Sequence, residues 1–114
     1  TPAAAEFPAA PGWHEVPDTQ LRRVCAAENG FPQVNGNYGC FGITGAWNGA
    51  VFDTSRNRMI VFGGGHGDYY GNEIYAFDLR DKTMRRITDP GLPPASSCTE
   101  AIAGGSQPNS RHTY

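Results

Sequence analysis

A basic stripe is missing from this chain. Its longest runs of positive charge are the pairs Arg22-Arg23 and Arg85-Arg86, and 9 Lys and Arg against 11 Asp and Glu leave a formal charge of -2. Nucleic-acid binding draws its affinity from clustered cations that displace counterions from phosphates, so the composition argues against that class. Long apolar runs are missing too: no stretch approaches the ~20 residues that a membrane-spanning helix needs. Cysteine is scarce, with 3 in all, at Cys25, Cys40 and Cys98. Two cysteines as far apart as Cys25 and Cys40 lack the close pairing of zinc ligands. No Asn-x-Ser or Asn-x-Thr acceptor occurs, so glycosylation says nothing about compartment. The glycine-rich stretch at 63–67 precedes a strand pattern rather than a helix and lacks the lysine of a phosphate-cradling loop.

What is present is a row of four short strand patterns over residues 47–87, each closed by turn chemistry. The central run, Met59, Ile60, Val61 and Phe62, ends in Gly63, Gly64 and Gly65. A loop at 66–71 separates it from Ile74, Tyr75, Ala76 and Phe77, which stop at the turn 78–82. Residues 48–52 supply a strand ahead of them, joined through a tight turn at Asp53, Ser55 and Asn57, and 83–87 form a weaker one behind. Both central runs are apolar at consecutive positions, which predicts that both faces of the sheet are covered, as between the stacked sheets of a propeller. Tyr75 and Phe77 belong to the core. The glycines predict positive φ and close backbone approach at the end of the second strand.

The succession Phe52-Asp53, Arg58-Met59-Ile60-Val61-Phe62-Gly63-Gly64, Asn72-Glu73-Ile74-Tyr75-Ala76-Phe77-Asp78 and Thr83-Met84-Arg85-Arg86-Ile87 resembles a kelch repeat. The double glycine after the second strand and the aromatic in the third are the family's marks, whereas the tryptophan that opens the fourth is replaced by Met84. The resemblance covers about one repeat and looks closest to secreted bacterial kelch proteins, which share a propeller with the central domain of galactose oxidase. It implies an all-β, kelch-type propeller fragment. It says little about activity, because this architecture hosts many functions.

A single repeat cannot bury its own faces, so the 114 residues are expected to fold with the remainder of their own propeller as partner. Residues 1–11, rich in alanine and proline, resemble the stub left when a signal peptide is removed, which points to a secreted or periplasmic protein. Residues 12–16 match a fourth strand, with Trp13 where the main repeat has Met84, and are expected to complete the last blade; His14 is expected at the surface. A long connection, 19–46, holds Cys25 and Cys40. A disulfide between them would staple a loop of about 15 residues, worth roughly 3 kcal/mol in the chain-entropy model; a metal or free thiols are the alternatives. The complete blade spans 47–88. A Pro, Gly and Ser-rich connection with the odd Cys98 follows, and residues 111–114 begin the next blade.

Blade topology puts the connection between strands two and three on the same side as the one leading into the next blade. His66, Asp68, Tyr69 and Tyr70 then share a loop face with Arg111, His112 and the Cys25–Cys40 loop. Three chemistries fit. His66 and His112 could bind copper or another transition metal beside Tyr69 or Tyr70, an oxidase-like centre, although no tyrosine and cysteine here match the cross-linked pair of galactose oxidase. His66, His112, Tyr69 and Arg111 could instead neutralise a uronic acid and abstract its proton, as a polysaccharide lyase does. Tyr69, Tyr70 and Trp47 could stack on sugar rings with Asp68 beside them, giving a glycan-binding module without turnover. A propeller that presents a protein-binding surface is a further possibility. His66 and Asp68 also suit an ordinary turn, and Glu73 an ordinary pair with Arg58.

Overall fold

The computed structural model describes residues 6–45, 48–64 and 67–94, together with Pro108 and Ser110. Four strands form one antiparallel sheet in sequence order: β1 (Asn48–Asp53), β2 (Arg58–Gly63), β3 (Tyr75–Asp78) and β4 (Thr83–Arg86). Both tight hairpins use the same device. An aspartate ends the first strand, its carboxylate accepts backbone N–H groups two and three residues on, and a residue with positive φ re-enters the sheet. At the first turn Asp53 Oδ1 accepts from Ser55 N and Arg56 N, and Asn57 takes φ 51°. At the second, Asp78 Oδ1 accepts from Arg80 N and Asp81 N, and Lys82 takes φ 54°. Leu79 N donates to Asn57 O at 3.0 Å and ties the two turns together.

Residues directly opposite in an antiparallel pair project to the same face, so the register sorts the side chains. Val61 stands opposite Ala50 and Tyr75, and Met59 opposite Phe52 and Phe77, with Met84 next along that row. That face is covered by the segment before β1. The core consists of Leu21, Cys25, Ala26, Val34, Cys40 and Ile43 from that segment against Val61 and Tyr75 from the sheet, with Tyr69 between them; Met59 and Met84 flank it. Arg86 fastens the layer to β4 by donating to Val24 O and Asn29 O, and its guanidinium lies 5.2 Å from the centroid of the Phe31 ring.

The covering segment is more ordered than its composition suggests. Three 3-10 turns, Leu21–Arg23, Ala26–Glu28 and Pro32–Val34, lead into a six-residue helix, α1 (Cys40–Gly45). Elements this short leave no period in a sequence, and a helix of six residues is marginal by itself. The Cys25–Cys40 disulfide supplies the missing constraint, as the stapled-loop alternative anticipates.

The opposite face carries Gly49, Val51, Ile60, Phe62 and Ala76. Ala76 is buried, but Val51 is 63% exposed and a shallow groove runs over Gly49, Val51, Ile60 and Phe62. Among the described residues the expectation of two covered faces is therefore met only in part: the stapled segment buries Val61 and Tyr75 but leaves Phe52, on the same face, 46% exposed. Residues 12–16 pair with none of the four strands; Trp13 stands fully exposed, and His14 is an exposed residue that donates to Ala10 O. Among the described residues no helix is long and apolar enough to cross a membrane.

Candidate functional site

The connection between β2 and β3 docks onto the stapled segment backbone to backbone. Asn37 N donates to Gly67 O at 3.0 Å, Tyr38 N to Asp68 O at 2.9 Å, and Tyr70 N to Val34 O at 2.9 Å. The expected meeting of these two loops on one side of the sheet is thus a direct contact. Glycines make the approach possible. Gly64 has φ 125°, as expected at the end of β2, and a Cβ there would come within 2.9 Å of Tyr69 Cβ; Gly36 has φ 64°, and a Cβ there would meet Asp68 O at 2.6 Å.

Docking turns the middle of the loop inward. Tyr69 is 1% exposed, and its hydroxyl donates to Glu73 Oε1, which also accepts from the Tyr75 hydroxyl. Ala26 N donates to Tyr75 Oη at 2.9 Å, and Cys25 Sγ lies 3.7 Å from Tyr69 Oη. Glu73 itself is 3% exposed, and its buried Oε2 has no hydrogen-bond partner among the described residues. Burial pushes the Tyr69 and Tyr75 phenols well above the usual tyrosine range, and the Glu73 carboxylate beside them adds to the shift. Both are therefore held as neutral donors. This network joins the sheet, the β2–β3 connection and the disulfide at one point.

Glu73 is the residue whose place the sequence conceals. A cross-strand or interblade pair with Arg58 is the ordinary reading, but Arg58 reaches Asp53 at 3.2 Å instead, and Glu73 turns under the stapled segment. The available signal was a carboxylate between two tyrosines, four residues after one and two before the other. Asn72 next to it organises the chain beyond β4: its Oδ1 accepts from Gly91 N at 2.8 Å and its Nδ2 donates to Pro108 O at 2.7 Å. Pro108 thus lies at the end of the β2–β3 connection.

Of the sequence-derived candidates, Asp68 and Tyr70 are half-buried on the docked loop, and Tyr69 has its hydroxyl inside the core. Trp47, His66, Arg111 and His112 lie outside the described residues, as does Cys98. Among the described residues no three His, Cys, Asp or Glu side chains converge as a metal site would require. No protein-family model, curated protein or solved structure matches the chain.

Proposed function

We propose that this chain is a blade, with flanking segments, of an exported kelch-type β-propeller whose loop face binds extracellular carbohydrate. The observation that carries the proposal is the backbone docking of the β2–β3 connection onto the disulfide-stapled segment, which makes one continuous loop surface beside a four-stranded meander. Loops fixed by a scaffold are where binding concentrates, and preorganisation lowers the entropy lost on capture. The exposed Val51, on the face away from the stapled segment, suits a neighbouring blade, and the disulfide suits an oxidising compartment. Binding is favoured over turnover because the Tyr69 hydroxyl is engaged inside the core, while Asp68 and Tyr70 remain partly accessible.

The test is retention of the intact protein on a panel of neutral and acidic polysaccharides, with Tyr70→Ala and Arg111→Ala variants and elemental analysis of each sample. Retention of the parent protein with loss in at least one variant is the expected result. A folded protein that neither binds nor alters any polysaccharide overturns the reading. About one transition metal per protein that is lost in His112→Ala would replace it with an oxidase-type centre.

A further inference from the structure

Residues of the stapled segment line a cleft of about 630 Å³, within the usual size range of small-molecule sites. Two aromatic rings line it, Tyr38 at 61% exposure and Phe41 at 66%. Neither is on a loose tail. Tyr38 N is bonded to Asp68 O, and Phe41 follows the disulfide-bonded Cys40 on α1. The Phe41 ring lies directly over Gly45, where an added Cβ would come within 2.5 Å of ring carbons, so backbone supports the ring from one side. These are large apolar surfaces facing water from backbone that is anchored to the rest of the fold, an arrangement that core packing does not explain.

The polar lining identifies what would meet them. Gln20, Asn37 and Thr44 are exposed and make no hydrogen bond through their side chains among the described residues, which leaves amide and hydroxyl donors and acceptors available to a ligand. Among the described lining residues, charge is present as Arg22 and Glu28, which pair with each other at 2.9 Å. The cleft therefore has no net charge with which to capture a phosphate, a carboxylate or a polyanion. Aromatic faces carry negative charge density and attract polarised C–H groups, and amides suit hydroxyls. A pyranose ring offers both on one small, uncharged body.

We infer that this cleft is a binding site for a neutral oligosaccharide, with Tyr38 and Phe41 as stacking platforms and Gln20, Asn37 and Thr44 as hydroxyl partners. The inference takes its ligand class from the carbohydrate reading above, but it uses none of the residues His66, Tyr70, Arg111 or His112.

The experiment is isothermal titration of the intact protein with cellohexaose, mannohexaose and xylohexaose, and with an oligogalacturonate as the acidic comparison, in the parent and in Tyr38→Ala, Phe41→Ala, Tyr38→Phe and Tyr70→Ala variants. At least one neutral oligosaccharide binds the parent, and Tyr38→Ala and Phe41→Ala each weaken it about tenfold, equivalent to about 1.4 kcal/mol. Tyr38→Phe keeps the platform and stays within about twofold of the parent, and added salt has little effect. Parent-like affinity in both alanine variants, with loss in Tyr70→Ala, overturns this site and leaves the loop-face reading standing. Binding of the oligogalacturonate alone does the same. No saccharide bound by the folded parent overturns both. Failure of both alanine variants to be secreted or to melt like the parent marks the rings as a contact with the rest of the protein, and also overturns the site.

Discussion

Glu73 shows how one side chain can hold three segments together. Its Oε1 takes hydrogen bonds from Tyr69 on the docked connection and from Tyr75 on β3, and Tyr75 in turn accepts from Ala26 on the stapled segment. Removing the acceptor strands two buried hydroxyls, each at about 1–3 kcal/mol. Glu73→Ala in the intact protein is therefore expected to lose roughly 3 kcal/mol or more in denaturant unfolding; a loss within about 0.5 kcal/mol, the usual range for a surface substitution, would show that the network contributes little. The tyrosines also give the fold an alkaline limit. Burial first, and then the Glu73 carboxylate, raise their pKa values in the folded state. The unfolded chain releases these protons near pH 10, the folded chain only higher, so the stabilisation is complete below about pH 10 and is lost as pH rises beyond it. The melting temperature should fall above that point. A Tyr69→Phe, Tyr75→Phe double variant should start lower and fall less steeply, and an unchanged slope would place the alkaline sensitivity elsewhere.

Strands and turns were largely legible because their causes are local. Asp53 and Asn57 mark the first turn and the run 59–62 marks its strand, and β1 and β2 fall within a residue or two of the patterns at 48–52 and 59–62. The turn at 78–82 repeats the device with Lys82 in the positive-φ position, a residue that gives no turn signal by itself. The covering segment was not legible in the same way, since its 3-10 turns are fixed by a disulfide, by backbone bonds to residues 67–70 and by Arg86 on β4, all distant in sequence. Glu73 was missed for the same reason: its burial exists only once that layer is in place. Two measurements test these elements. Cys25→Ser with Cys40→Ser opens a loop with a sequence separation of 15, and is expected to cost about 3 kcal/mol and to expose Tyr69 to solvent quenchers. At the first hairpin, the Ser55 hydroxyl foremost, with Arg56 and Arg58 adding, holds the Asp53 carboxyl below the usual carboxylate range. That stabilisation is present above about pH 4 and is lost as pH falls through the lowered folded value. Asp53→Asn should flatten the acid limb of the stability profile; an acid limb as steep as the parent's would assign it to other carboxylates.

At the scale of the whole molecule, the two faces of the sheet pose opposite problems. One is covered in part by the chain's own stapled layer, with Val61 and Tyr75 buried beneath it and Phe52 still 46% exposed at its edge. The other presents Val51 at 63% exposure beside Ile60 and Phe62, over a sheet whose central Ala76 is already buried by its neighbours. A β-branched residue on a flat apolar face is a poor surface residue and a good interface residue, because the same side chain gains roughly 1.5–3 kcal/mol once water is removed from it. Sheets stacked in a propeller remove that water, whereas a lone blade cannot. Val51→Asp therefore distinguishes the two situations when it is made in the intact protein. If the proposed neighbouring blade covers this face, the aspartate is buried without a partner and the substitution destabilises by several kcal/mol, as a core change does. If the face meets solvent in the intact protein, the cost stays within about 0.5 kcal/mol, and the propeller arrangement is lost as an explanation of the apolar strand. A charge at Thr54, exposed in the adjacent turn and beyond both sheet faces, serves as the reference and should change melting little in either case.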